Sequence, residues 1–201
     1  MEHKYRKLFD EAMLACVDET HSEEALSHMS AEFVSYMNNT VNSGLYYKFF
    51  KAFTRLAKPK VIVELGNREG AGLCSFWGGL TEPDQEIHTF DVVADLCFVP
   101  PSIKADPRVK IYIQNVLQPE TYGLFDTKPI DILFCDTIHT ADQLSKEWAM
   151  WAPRLANQAI VFVDDINLED KIVAFREINQ ERLELTKLHA SGFGVVFFNR
   201  Q

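Results

Sequence analysis

The sequence predicts an α/β protein built on a doubly wound, largely parallel sheet with helices on both faces. Three observations predict it. From residue 61 onward short β-branched runs alternate with helical periodicity, the chain pattern of βαβ units. The runs are uniformly apolar, as in AIVFV (159–163), and a strand without polar alternation is one covered on both faces. Near the C-terminus two strand-like segments lie too close for a crossover, so they form a hairpin and one strand is antiparallel.

Residues 3–37 read as helical, with Tyr5, Leu8, Phe9, Ala12, Met13 and Cys16 recurring at threes and fours. Ser30 is placed to cap a helix start, and NNTVNSG (38–44) is a polar break with turn chemistry. LYYKFFKAFTRLA (45–57) is the next helix and stops before Pro59. VIVEL (61–65) is the first strand, followed by a helix over AGLCSFWGGL. EIHTFDV (86–92), VKIYIQNV (109–116) and IDILFCD (130–136) are the second to fourth strands. A helix with Leu144, Trp148, Trp151 and Leu155 on one face then leads to AIVFVDD (159–165), the fifth. KIVAFREI is a helix, and LELTKLH and GFGVVFF pair across a Ser-Gly turn. This divides the chain into an N-terminal helical cap (1–44) and a sheet domain (45–201).

Composition narrows the function. The 201 residues are 47% hydrophobic and 24% charged, which suits one soluble domain with a real core. A net charge of -9 argues against a nucleic acid or an anionic membrane as partner. MEHKYRKLFDEAML is too charged for a secretory signal, and no apolar run reaches the ~18–20 residues of a membrane span. The four cysteines lack CxxC spacing and fall in apolar patterns, as in a reduced, cytoplasmic protein. The expected partner is a small molecule, with a homodimer as the common default for assembly.

Ligands of such a sheet sit beyond the carboxyl ends of its strands. VELGNREGAG runs from the first strand into a helix and carries Glu64, Gly66, Gly70 and Gly72. A glycine at the strand exit allows a tight turn and close backbone approach to a ligand, although glycines in loops also serve as plain turn residues. The spacing is not the GxGxxG of a pyrophosphate loop, and Asn67, Arg68 and Glu69 are bulky for one. Asp91 ends the second strand, where an acidic side chain suits a ribose diol.

These segments resemble the class I S-adenosylmethionine-dependent methyltransferases. VIVELGNREG is similar to their first motif, TFDVV to their acidic second motif, and IQNV to the adenine-edge position, with Asn115 where aspartate is usual. The resemblance covers about residues 45–201 and implies a Rossmann-like seven-stranded sheet ordered 3-2-1-4-5-7-6. It also implies that Glu64, Gly66, Asn67, Gly70, Asp91, Val92, Asn115, Val116 and Asp136 bind S-adenosylmethionine.

A second constellation lies at the next strand ends: Asp136 and His139 after the fourth strand, Asp164 and Asp165 after the fifth. Neighbouring parallel strands run about 4.8 Å apart, so the three carboxylates converge. Oxygen donors of this kind suit a hard cation such as Mg²⁺, with Ca²⁺ and Mn²⁺ fitting the same set; the competing reading is a pair of strand-end caps. The segment from DILFCD to VFVDDI resembles metal-dependent small-molecule O-methyltransferases of the catechol and macrocin types and cephalosporin-hydroxylase-like proteins. By that resemblance Asp136, Asp164 and Asp165 hold Mg²⁺, and LANQA replaces a glycine-rich turn before the fifth strand. A cation on the substrate oxygens lowers the pKa of the attacking hydroxyl. His139, an imidazole in the loop after the fourth strand, is the candidate base, against an ordinary loop residue.

The function so expected is a Mg²⁺-assisted O-methyltransferase acting on a small hydroxylated molecule. Its rivals are a metal-binding hydroxylase-like relative and a cofactor-binding module without turnover. Tyr36 and Asn39 of the cap are candidates to touch ligand. His3, His21, His28, His88 and His189 show no pairing pattern and read as structural or surface residues, and YYKFF (46–50) as a buried helix face.

Overall fold

The computed structural model of the chain describes residues 3–38, 44–93, 96–186 and 189–200. Its centre is a seven-stranded sheet: β1 (Val61–Leu65), β2 (Glu86–Asp91), β3 (Val109–Ile113), β4 (Ile130–Cys135), β5 (Leu155–Asp164), β6 (Glu181–Glu184) and β7 (Phe193–Asn199). The spatial order is β3-β2-β1-β4-β5-β7-β6. Strands β1 to β5 pair in parallel, and β7 runs antiparallel to β5 and β6. Fold class and strand order are those expected.

Two apolar layers hold the sheet, and the two-residue period of a strand sorts side chains between them. Ile62, Phe134, Phe162 and Phe193 face α4 (Gly44–Ala57) and α5 (Ala71–Gly78), where Phe49, Phe50, Phe53 and Phe76 complete one core. Val63, Leu133, Val161 and Val196 face Leu144 and Trp151 of α8 (Ala141–Trp151) and Phe175 of α9 (Lys171–Glu177). Phe50 stacks on Phe76 at 4.6 Å between ring centres and meets Phe134 edge-on at 4.8 Å. Truncating such a ring costs about 3–5 kcal/mol. The short helices α6 (Pro101–Ala105) and α7 (Pro119–Tyr122) join β2 to β3 and β3 to β4.

The N-terminal stretch is not one continuous helix. It divides into α1 (Lys4–Ala15), a tight turn at Cys16–Asp18, α2 (Glu23–Ser27) and α3 (Ala31–Asn38). Serines make the breaks: the Ser22 hydroxyl accepts from the Ala25 N–H and Ser30 from that of Phe33, and hydroxyls that bind local backbone favour helix starts over interiors. Tyr5, Phe9, Ala12 and Cys16 are buried in the same core as α4.

Three further expectations change. LANQA, which holds neither glycine nor proline, simply extends β5 back to Leu155, with a register shift against β4 between Ile130 and Ile132. Strand β6 lies earlier than LELTKLH and ends at Glu184. Cys97 is exposed, whereas Cys16, Cys74 and Cys135 are buried thiols. Asn39 and most of NNTVNSG lie outside the described residues, as does the side chain of Tyr36. No helix among the described residues is long and apolar enough to cross a membrane.

Candidate active site

A cavity of about 880 Å³ opens at the carboxyl ends of the central strands. Its volume is at the upper end of the roughly 300–1,000 Å³ of small-molecule sites. Glu64, Gly66, Asn67, Asp91, Val92, Asn115, Val116, Asp136, His139, Asp164 and Asp165 all line it. Gly70 does not: with φ +97° it is the left-handed residue that starts α5, and a Cβ there would meet Val99 at 2.1 Å.

At the β1 end, the chain turns at Gly66 (φ +86°), where a Cβ would lie 1.9 Å from the Asp136 carbonyl oxygen. Glycine is therefore required both by conformation and by the approach of two strand ends. Asp91, the residue expected at a ribose, also braces the loop. Its Oδ2 accepts the Asn67 and Arg68 N–H groups at 2.9 and 2.7 Å, and its Oδ1 accepts that of Val93 at 3.0 Å. Charge-assisted bonds of this kind fix the loop. A carboxylate offers about four lone-pair sites, so capacity for a ligand remains on Oδ1. Asn67 turns inward, donating to Glu64 Oε2 at 3.2 Å, and the Thr89 hydroxyl donates to the same oxygen at 2.6 Å. Burial pushes the Glu64 carboxyl up to about 8 against those bonds. Gly72 leaves room for it, since a Cβ there would stand 2.1 Å from Glu64 Oε1.

The β4 and β5 ends carry the acidic group. Ligand atoms of Asp136, His139 and Asp165 lie within 4.8 Å of one another, and so do those of Asp164, Asp165 and His189. The three expected aspartates are thus linked through Asp165, with an imidazole in each group. His139 Nε2 stands 2.9 Å from Asp165 Oδ2, and His189 Nδ1 3.9 Å from Asp165 Oδ1. Asp165 itself holds φ +56°, a strained value for a residue with a side chain. The Tyr46 hydroxyl donates to Asp164 Oδ2 at 3.1 Å, while Asp164 Oδ1 is buried and has no hydrogen-bond partner among the described residues. Burial, and next the Asp164 charge, pushes Asp136 well above the usual carboxylate range. Burial and then Asp165 push Asp164 upward as well. An orphaned buried carboxylate oxygen among mutually repelling carboxylates is a donor set that fits a divalent cation.

Three participants escaped the sequence reading. Tyr46 lies on the buried helix face expected of YYKFF, yet its hydroxyl reaches the site; a tyrosine rather than phenylalanine there is the available signal, because a buried O–H needs a partner. His189 is a buried cavity residue, brought back by the turn into β7, and no sequence spacing reveals it. Lys171, at the start of α9, is fully buried, and its charge holds down the pKa values of Asp136, Asp164 and Glu147. Glu147 of α8 accepts from Thr137 Oγ1 at 2.5 Å and Gln143 Nε2 at 2.8 Å, which braces the loop after Asp136.

Residues 63–166 match the family model described as a methyltransferase domain, and the chain belongs to that family. No curated protein matches it in sequence. Among solved structures it is similar to the SAH-bound methyltransferase PaMTH1 of Podospora anserina (14% identity, TM-score 0.67), covering 100% of this chain and 99% of that one. TomG of Streptomyces achromogenes, an O-methyltransferase of tomaymycin synthesis in complex with SAM, has 14% identity and a TM-score of 0.67 over 99% and 100% of the two chains. An O-methyltransferase from Bacillus cereus in complex with SAH has 11% identity and a TM-score of 0.66 over 89% and 92%. The fold is that of the class I S-adenosylmethionine-dependent methyltransferases.

Proposed function

We propose that the chain is an S-adenosylmethionine-dependent O-methyltransferase of a small hydroxylated molecule, assisted by a divalent cation, with Mg²⁺ first in line. One observation carries the reading: a single cavity joins the Gly66–Asp91 loop to the acidic ends of β4 and β5. Glu64, Gly66, Asn67, Asp91, Val92, Asn115 and Val116 would hold the cofactor, which supplies an activated methyl group. Val116 is anchored for this, its carbonyl accepting from Trp151 Nε1 at 3.0 Å. Asp136, Asp164 and Asp165 would hold the cation, which supplies Lewis-acid activation of the acceptor hydroxyl.

The chain's own residues then move the proton and exclude water. His139, oriented by Asp165 at 2.9 Å, accepts the hydroxyl proton, as imidazole–carboxylate pairs do elsewhere. Residues 1–44 act as a cap, with Ser30, Glu32 and Phe33 of the α3 region lining the cavity. A cytoplasmic setting and a small-molecule partner complete the proposal. Its test is transfer of label from methyl-labelled S-adenosylmethionine to a panel of hydroxylated acceptors, with Mg²⁺ and with a chelator. Label in an acceptor, lost on chelation and in Asp164→Ala/Asp165→Ala, supports it. Absence of cofactor binding at millimolar concentration overturns it.

A further inference from the structure

Lys171 is fully buried at the start of α9, and its Nζ has no hydrogen-bond partner among the described residues. Taking an ammonium out of water without a partner is costly, and such a group persists where nearby carboxylates offset it. Its position is fixed from two directions. Two successive turns lead to it from the end of β5: the Leu168 N–H donates to the Asp165 carbonyl oxygen at 3.0 Å, and the Lys171 N–H to that of Leu168 at 3.3 Å. Asp170 Oδ1 accepts the Ala141 N–H at 2.8 Å, which ties the start of α9 to that of α8. This helix packs on the sheet face that Cys135 and Val163 share with Phe175, whereas Asp164, the next residue of β5, turns to Tyr46 on the opposite face. Glu147, from α8, has its Oε2 equally buried and without a partner among the described residues. The ammonium thus stands behind the strand ends and outside the cavity lining, and its charge reaches Asp136, Asp164 and Glu147 together.

We infer that Lys171 sets how tightly the divalent cation is held: its buried ammonium and the cation compete for the same carboxylates from opposite faces of the strand ends. This rests on the cation reading of the site and adds the residue that controls the affinity. As a positioning residue Lys171 touches no ligand and acts through the aspartates. The acidic ends stay together in the cation-free protein because the ammonium offsets them in part, and the same charge repels a cation once it is bound. At an effective dielectric of about 20, a single and a double positive charge several ångströms apart disfavour each other by more than a tenfold step in affinity. The cation is thereby an exchangeable partner of the fold.

Calorimetric titration of MgCl₂ into the metal-stripped protein tests it, with the wild type beside Lys171→Met, which keeps the length of the side chain and drops its charge. The variant should bind Mg²⁺ more tightly, by about tenfold or more. Losing a merely structural residue would loosen the site, so the direction of the change separates the two roles. Unchanged or weaker binding overturns the inference. Lys171→Gln is the second variant, and urea unfolding with and without saturating MgCl₂ is the second measurement. A ligand held more tightly by the folded state stabilises it more, so Mg²⁺ should raise the midpoints of both variants further than that of the wild type. A variant that folds only with Mg²⁺ shows the same linkage, and one that stays unfolded in saturating MgCl₂ overturns it. If wild type and variants alike take up no cation, the cation reading itself fails. Wild-type uptake with no gain in the variants overturns the role of Lys171 alone, so the two failures are distinguishable.

Discussion

Replacing Glu64 by glutamine should flatten the fall in stability with rising pH. The carboxyl is buried at the end of β1, its pKa is raised from 4.5 to about 8, and burial is the largest cause. The folded chain therefore keeps this proton up to about pH 8, whereas the unfolded chain releases it near 4.5. Between those values the folded state binds more protons, so stability falls as pH rises, by about 1.4 kcal/mol per unit for one proton. From pH 5 to 7.5 the wild type should lose about 3 kcal/mol more than Glu64→Gln. Glutamine is neutral throughout and can keep a carbonyl acceptor where Oε2 receives Thr89 and Asn67. Other carboxyls titrate in both proteins, and the difference between the two isolates Glu64. Urea unfolding at half-unit pH steps measures it. Parallel curves, or a mutant that loses stability faster, would refute the reasoning.

Other sites give equally definite outcomes. Gly66→Ala places a Cβ 1.9 Å from the Asp136 carbonyl oxygen at φ +86°, and should lower stability by about 3 kcal/mol in chemical denaturation. An unchanged midpoint would show that the strand ends separate freely. Lys171→Met removes the ammonium behind the acidic group and should cost about 3 kcal/mol by the same measurement, since the remaining carboxylates lose their compensation. A stabilised variant would mean that the cost of burying the lysine outweighs its service to the aspartates. Asp91→Asn turns one acceptor oxygen into a donor facing the Asn67 and Arg68 N–H groups, and should weaken S-adenosylhomocysteine binding about tenfold or more. Unaltered affinity would separate the loop from the ligand site.

The sheet was legible because its information is local. Apolar β-branched runs in VIVEL and AIVFV, each followed by a helical period, leave few arrangements other than a doubly wound sheet. Strand-end aspartates were legible for the same reason: Asp91, Asp136, Asp164 and Asp165 each close an apolar run, and the topology brings those ends together. What was missed depends on contacts distant in sequence. Tyr46 meets Asp164 across 118 positions, and His189 arrives through the turn that begins β7. Lys171 opens the short helix KIVAFREI, and only the packing of α9 on the sheet reveals it as buried. The helix start at Ser30 was legible from its capping hydroxyl, whereas the break at Ser22 was masked by an apolar period continuous through it.

The central claim is that one cavity holds S-adenosylmethionine between the Gly66–Asp91 loop and the aspartates of β4 and β5. A crystal structure of the chain grown with S-adenosylhomocysteine tests it most directly. The account predicts ligand density with the ribose beside Asp91, the adenine beside Asn115 and Val116, and the sulfur turned toward Asp136. Density elsewhere, or a cavity that excludes the ligand at saturating concentration, would contradict it.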